Sequence, residues 1–194
     1  MIRDYRPSST VLTYHVSRIT VNTLRIHTIG HSNASASDFI ALLRNNGIEA
    51  LVDVRSSPYS QYLPHFNRDT LAGIMAEAGI SYHFAGEYLG GRPKDPTCYK
   101  HGKVPTGKVD YLKLVDYAEV ARRPWFQKGI ERLLQIAGER PTTLMCAEED
   151  PHSCHRYHLI SPVLERSGIE IVHIRHKPEQ SQVDPTQPQQ VSMF

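Results

Sequence analysis

Short, nearly continuous apolar segments alternate along this chain with segments in which apolar residues recur every three or four positions. The first kind is typical of buried strands and predicts five of them, at residues 24–29, 50–55, 80–84, 142–146 and 170–174. The second kind is typical of amphipathic helices. The alternation predicts an α/β fold, a mostly parallel sheet of about five strands flanked by helices on both faces, in a single domain.

The helical segments carry start and stop signals. Ser37 is the predicted N-cap of the first helix, and Gly47 is its predicted stop. Further helices are predicted to begin at Asn67 or Asp69, at Asp110 and at Pro124. In the last helix, Pro162 predicts a kink or a late start. Residues 85–108 are rich in glycine, proline and lysine and are predicted to form a long loop.

The two ends of the chain differ from this middle part. Residues 1–22 are mostly polar and are predicted to be an N-terminal extension, in which 11–14 and 19–21 are candidate edge strands. Residues 23–176 make up the predicted α/β domain. Residues 177–194 are rich in proline and glutamine without periodicity, which predicts a disordered tail.

Composition narrows the class of protein. The formal net charge of +2 over 194 residues is too small to indicate a nucleic-acid binder by itself. Because no apolar run approaches the roughly 18 residues that a bilayer crossing needs, no membrane association is expected. Three cysteines, in a chain whose first ten residues lack an apolar signal segment, favour reduced thiols and the cytoplasm.

The densest group of reactive side chains lies at residues 146–156. Cys146 ends a predicted strand, and Cys154 lies in the first turn of the following helix, beside His155 and Arg156. Cationic neighbours and a helix N-terminus lower the pKa of a thiol, and the thiolate is the nucleophilic form. Cys146 or Cys154 is then the nucleophile, with the other as resolving thiol, and Glu148 or His155 moves protons.

Two other interpretations of these cysteines stay open. A free cysteine is often only a small buried hydrophobe. A metal site would use Cys146, Cys154 and His155, with His152 or His158 as a further ligand. The seven residues between the two cysteines exceed the spacing usual in structural zinc sites. Since cofactor fingerprints are also missing, the primary prediction includes neither a metal nor a cofactor.

Other polar groups also fall where predicted strands end, which is where open α/β sheets bind ligands. Asp53 is expected to orient a substrate hydroxyl or a catalytic group while Arg55 holds a phosphate or carboxylate, or the two form a structural ion pair. His31 is a further candidate acid or base. The other predicted substrate-binding residues are Gly30, Ser32, Tyr88, Gly90, Gly91, Arg92 and Arg156.

These placements predict an enzyme, a cysteine-dependent transferase or hydrolase, that acts on an anionic small molecule or a nucleotide-like group. The alternative is a non-catalytic module that binds a nucleotide or nucleic acid through Arg55, Arg92 and Arg156. The sequence leaves open the substrate, the reactive cysteine and the oligomeric state.

Taken in order, the motifs resemble those of the domain-of-unknown-function family 488. The matching segments lie at residues 28–32, 52–58, 66–67, 88–92 and 146–156. The resemblance runs from about Thr23 to Ile174. The family consists of small bacterial and archaeal α/β proteins without an established biochemical role. It therefore supports the fold and the place of the site, and it implies no reaction.

Overall fold

A computed structural model describes residues 24–107 and 109–176. Its strands are β1 (Arg25–Gly30), β2 (Ala50–Asp53), β3 (Ser81–Phe84), β4 (Thr142–Cys146) and β5 (Glu170–Ile174). They form one sheet in the order β3-β2-β4-β1-β5, and each neighbouring pair is parallel. The predicted parallel α/β sheet is confirmed, and all five strands lie within two residues of the predicted positions.

Helices connect these strands. They are α1 (Ala36–Asn45), α2 (Arg68–Glu77), α3 (Gly86–Leu89), α4 (Tyr111–Leu114), α5 (Tyr117–Ala121), α6 (Pro124–Glu139) and α7 (Ser161–Arg166). A π-helical turn, Arg156–Ile160, leads directly into α7, and short 3₁₀ turns lie at Pro64–Phe66, Pro96–Cys98 and Pro151–Ser153.

Each face of the sheet has its own core, because consecutive strand residues point to opposite sides. Ile29 and Met145 pack with residues of α1 and α2 on one face. Ile26 and Leu144 pack with residues of α6 and α7 on the other. All four side chains are fully buried. Cys146 follows Met145, so its side chain belongs to the α6–α7 face.

The first two helices begin and end close to the predicted positions. The N-cap of α1 is Ser35, so the prediction of Ser37 was wrong by two residues. Ser35 is the N-cap because its hydroxyl accepts a hydrogen bond from the backbone N–H of Asp38 at 3.1 Å, which closes the first turn. Gly47 adopts a positive φ of 65° after α1, as its predicted role as a stop requires. Asn67 is the N-cap of α2.

The helix predicted to begin at Asp110 is in fact two short helices, α4 and α5. Val115 interrupts it by forming an isolated antiparallel bridge with Tyr99. Asp116 then caps α5 by accepting the backbone N–H of Glu119 at 3.0 Å. The predicted loop at 85–108 contains α3 and a 3₁₀ turn. The late start that Pro162 predicted is not seen, because the π-helical turn Arg156–Ile160 runs directly into α7, which begins at Ser161.

The chain order places a crevice between β2 and β4. These strands are neighbours, but the chain leaves β2 towards β3 at one edge of the sheet and leaves β4 towards β5 at the other. Connections that diverge in this way open a ligand-binding crevice at the carboxyl ends of the strands. The segments that follow β2 and β4 therefore bound the site described below.

Some predictions fall beyond this fold. The candidate strands at 11–14 and 19–21 and the predicted tail at 177–194 lie outside the described residues. Within 24–107 and 109–176, no helix is both long enough and apolar enough to cross a membrane.

Candidate active site

A cleft of about 250 Å³ opens at the carboxyl ends of β2 and β4. Its walls come from four separate segments of the chain. They include Arg55, Ser56 and Ser57 after β2, Gly91 and Arg92 after α3, Tyr111 and Tyr117 from α4 and α5, and Cys146, Ala147, Glu148, Cys154 and His155 after and at the end of β4. The cleft thus unites thiols, an imidazole and guanidinium groups.

Both thiols in the cleft face one imidazole nitrogen. Nδ1 of His155 lies 3.7 Å from Sγ of Cys146 and 3.6 Å from Sγ of Cys154. The exposed fractions of the two cysteines are only 7% and 2%. Gly91 makes room for the imidazole, because a Cβ at that position would lie 2.6 Å from Cγ of His155. The glycine backbone therefore closes directly over the ring.

The two thiols differ in acidity. A hydrogen bond from the Cys154 thiol lowers the pKa of Cys146 against the opposing effect of burial, and a backbone hydrogen bond from Ala147 and the charge of Arg156 contribute in the same direction. The same hydrogen bond, together with burial, raises the pKa of Cys154 to about 12. Cys146 is therefore the more acidic thiol of the pair.

A buried ion pair fixes Arg55 at the cleft wall. Asp53 is fully buried and accepts hydrogen bonds from Nε of Arg55 at 2.9 Å and from Nη2 at 2.6 Å. The Tyr82 hydroxyl donates to the same carboxylate at 2.8 Å, and Nη2 of Arg55 also donates to the Phe66 carbonyl at 2.7 Å. Burial and the Asp53 charge raise the pKa of Tyr82, which keeps its hydroxyl protonated as a donor.

His31 extends this network as a neutral acceptor. Its Nδ1 lies 2.8 Å from the carbonyl of Ser32, which only accepts hydrogen bonds, so Nδ1 carries the proton. Its Nε2 then accepts from Nη1 of Arg55 at 3.2 Å. Burial, and next the charge of Arg55, lower the pKa of His31 to about 4. The ring also stacks on Phe66, with centroids 4.2 Å apart.

Several predicted site residues support the cleft from outside its lining. Gly30 packs so closely that a Cβ there would lie 1.7 Å from the Glu148 carbonyl oxygen. Arg156 is buried and donates to the carbonyls of Glu148 at 2.6 Å and Glu149 at 2.8 Å, which holds the loop after β4. Of the residues predicted to bind substrate, Arg55, Gly91 and Arg92 line the cleft; Gly30, His31, Ser32, Asp53, Tyr88, Gly90 and Arg156 do not. Direct contact of this second group with a ligand stays a prediction.

The sequence did not single out the tyrosines of the cleft. Tyr117 lies near both thiols, and burial followed by the charges of Cys154 and Cys146 raises its pKa. Its hydroxyl donates to the Gly91 carbonyl at 3.4 Å. The Arg92 guanidinium lies over the ring of Tyr111, 4.7 Å from its centroid. Both tyrosines lie in the connection between β3 and β4, and no sequence pattern marks them as cleft residues. Ser56 and Ser57 also line the cleft, and their position shortly after the end of β2 is a signal that could have identified them.

Comparison with known proteins identifies the family of this chain. Residues 35–162, more than half of the 194-residue chain, match the family described as Domain of unknown function DUF488. The chain belongs to this family. The DUF488 match includes every cleft residue named above, whereas β1 and β5 lie outside it. The chain matches none of the curated proteins and none of the solved structures.

Proposed function

We propose that this DUF488 protein is an enzyme in which the Cys146 thiolate attacks an electrophilic centre of an anionic small molecule or nucleotide-like substrate. One observation carries the proposal: the more acidic of two paired thiols shares a cleft with Arg55 and Arg92. A thiolate supplies the nucleophile, and the guanidinium groups supply the attraction for an anion.

The neighbouring groups have distinct roles in this proposal. The Cys154 thiol donates a hydrogen bond that favours the thiolate form of Cys146. His155, whose Nδ1 faces both sulfurs, carries a proton to the leaving group or takes one from the incoming acceptor. Glu148 is exposed on the cleft wall, where its carboxylate is a second candidate base. Water as acceptor makes the enzyme a hydrolase, and another nucleophile makes it a transferase.

Arg55 and Arg92 differ in how they could bind an anion. Arg55 is held rigidly by Asp53 and is only 6% exposed, so it offers a fixed charge at the cleft wall. Arg92 is exposed and pairs with no carboxylate within the described parts of the chain. Its guanidinium is instead placed over Tyr111. Arg92 is therefore the cation that an incoming anion meets without displacing an existing ion pair.

Charge selection at the thiolate tests both parts of the proposal together. Alkylation of Cys146 by iodoacetate and by iodoacetamide is followed by mass spectrometry of the native, reduced protein. We expect the ratio of the iodoacetate rate to the iodoacetamide rate to be higher at Cys146 than at N-acetylcysteine. Arg92→Gln is expected to lower this ratio about fivefold, which corresponds to roughly 1 kcal/mol of lost charge attraction.

Lys100→Gln is the matched control, because Lys100 is an exposed cation of the same connecting segment that does not line the cleft. The ratio should match that of the unsubstituted protein in this variant. An equal ratio in the unsubstituted protein, both variants and N-acetylcysteine would contradict the proposed anion-binding cleft.

A further inference from the structure

We propose that Cys146, Cys154 and His155 also form a three-ligand site for a zinc-like divalent cation, with the fourth coordination position open to the cleft. Their donor atoms all lie within 4.8 Å of one another, and all three residues are buried. Thiolate sulfur and imidazole nitrogen are the ligands that zinc prefers.

The two sulfur–nitrogen distances agree with tetrahedral coordination. Zinc–sulfur bonds of about 2.3 Å and zinc–nitrogen bonds of about 2.05 Å, at the tetrahedral angle, place sulfur and nitrogen about 3.6 Å apart. The two observed Sγ–Nδ1 distances are 3.7 and 3.6 Å. The imidazole nitrogen is therefore positioned relative to both sulfurs as a shared metal ion requires.

Hydrogen bonds alone do not explain why both sulfurs approach the same imidazole nitrogen. Nδ1 of an imidazole is a donor or an acceptor at a single position, so it serves one sulfur at a time. In the structure, nevertheless, both Cys146 and Cys154 approach Nδ1 of His155 at nearly equal distances. A cation located between the three donor atoms would satisfy all of them at once.

Charge and the surrounding backbone point the same way. Two thiolates and a neutral imidazole carry a total charge of −2, which neutralises a divalent cation and removes the large cost of burying uncompensated charge. The backbone N–H of Arg156 also donates to Sγ of Cys154 at 3.5 Å, a hydrogen bond that stabilises a thiolate there.

The structure also explains the cysteine spacing that argued against a structural zinc site. One sulfur ends β4, and the other lies at the start of the following helical segment, so their separation comes from the intervening loop. Three protein ligands with an open fourth position are typical of catalytic zinc sites. His152 and His158 are not in the cluster. The ring of His152 packs at a tilt against Tyr157, and Nε2 of His158 is hydrogen-bonded to the His152 carbonyl at 2.7 Å.

Cation binding has a consequence for reactivity. A metal ion occupies the sulfur electron pair that Cys146 needs for attack, so the loaded site is expected to resist alkylation. This consequence rests on the proposed function, whereas binding of the cation does not. In the metal-loaded state the Cys146 thiolate is therefore unreactive, and loss of the cation would make it available as a nucleophile.

Cobalt(II) serves as the spectroscopic probe. The full-length protein is reduced, freed of metal with a chelator and titrated with Co²⁺. We expect one Co²⁺ per chain, sulfur-to-cobalt charge-transfer absorption, the intense d–d bands of tetrahedral cobalt, and displacement by one equivalent of Zn²⁺. Cys154→Ala and His155→Ala are each expected to weaken binding at least a hundredfold. Cys98→Ala and His152→Ala, which lie outside the cluster, should bind as the unsubstituted protein does.

The cobalt spectrum and the pH dependence of alkylation distinguish this inference from the proposed function. If the unsubstituted protein shows no charge-transfer absorption, there is no metal site, whether or not the variants fold. Alkylation of Cys146 at low pH in the metal-free protein would then still support the proposed nucleophile. A tetrahedral cobalt spectrum with an ordinary Cys146 titration in the metal-free protein upholds the metal site and overturns the proposed function. Circular dichroism confirms that each variant is folded before its affinity is compared.

Discussion

Asp53→Asn is expected to lower the free energy of unfolding by about 3–5 kcal/mol, because it leaves the buried guanidinium of Arg55 without its counter-ion. The carboxylate is fully buried and accepts two side-chain hydrogen bonds from Arg55 as well as one from Tyr82. Asparagine keeps the shape but offers one acceptor oxygen and no charge. Urea unfolding, with comparison of midpoint and slope, measures the loss.

The matched control is Glu170→Gln, which removes a carboxylate from another strand-borne ion pair. Arg25 and Glu170 lie 2.8 Å apart, but their side chains are 54% and 45% exposed. Exposed pairs of this kind contribute about 0–1 kcal/mol. If the two substitutions cost the same, Asp53 is not the buried anchor of Arg55 that we describe.

Gly30→Ala is expected to destabilise the fold by about 1–3 kcal/mol or more, since the new methyl group overpacks rigid backbone. Its Cβ would lie 1.7 Å from the Glu148 carbonyl oxygen and 2.8 Å from Cα of Glu149. The loop that follows β4, which contains Glu148 and Glu149, must then move away from β1. Because the same loop leads from Cys146 to Cys154, we expect alkylation of Cys146 to lose its low-pH component as well.

Gly73→Ala provides the opposite case for the same chemical change. Gly73 lies within α2, and a Cβ there would meet nothing within 4 Å. Alanine in a helix interior is favoured over glycine by about 0.5–1 kcal/mol, so this variant should melt slightly higher than the unsubstituted protein. A Gly30→Ala protein with an unchanged melting temperature would show that the β1–β4 loop contact is not tight.

The five strands were predictable because each is a short run rich in apolar, β-branched and aromatic residues. Only β2 and β4 are buried along their whole length, whereas the edge strands β3 and β5 are partly buried. Helix boundaries were harder wherever two residues compete for one role, as Ser35 and Ser37 do before α1. The break at Val115 arises from its pairing with Tyr99, a contact between residues 16 positions apart that local periodicity does not carry. Long-range pairing therefore limited the prediction more than local propensity did.

Strand ends indicated where the candidate site lies but not all of its composition. Arg55, Cys146, Cys154 and His155, which the sequence singled out at or after strand ends, line one cleft. The sequence shows that an arginine follows a strand, but which acceptors surround its guanidinium depends on packing. Arg156 therefore proved to bond two loop carbonyls, an outcome that spacing does not reveal.

The pH dependence of Cys146 alkylation is the most direct test of the proposed thiolate nucleophile. Iodoacetamide labelling of native, reduced, metal-free protein is read by mass spectrometry at each cysteine. We predict that Cys146 reacts with a midpoint below the ordinary thiol pKa of about 8.5, and that Cys154→Ala moves this midpoint upwards by removing the donor. Cys98, whose pKa is raised by burial, is the internal reference. If Cys146 titrates at or above the ordinary value, or reacts only after unfolding, it is not the proposed nucleophile.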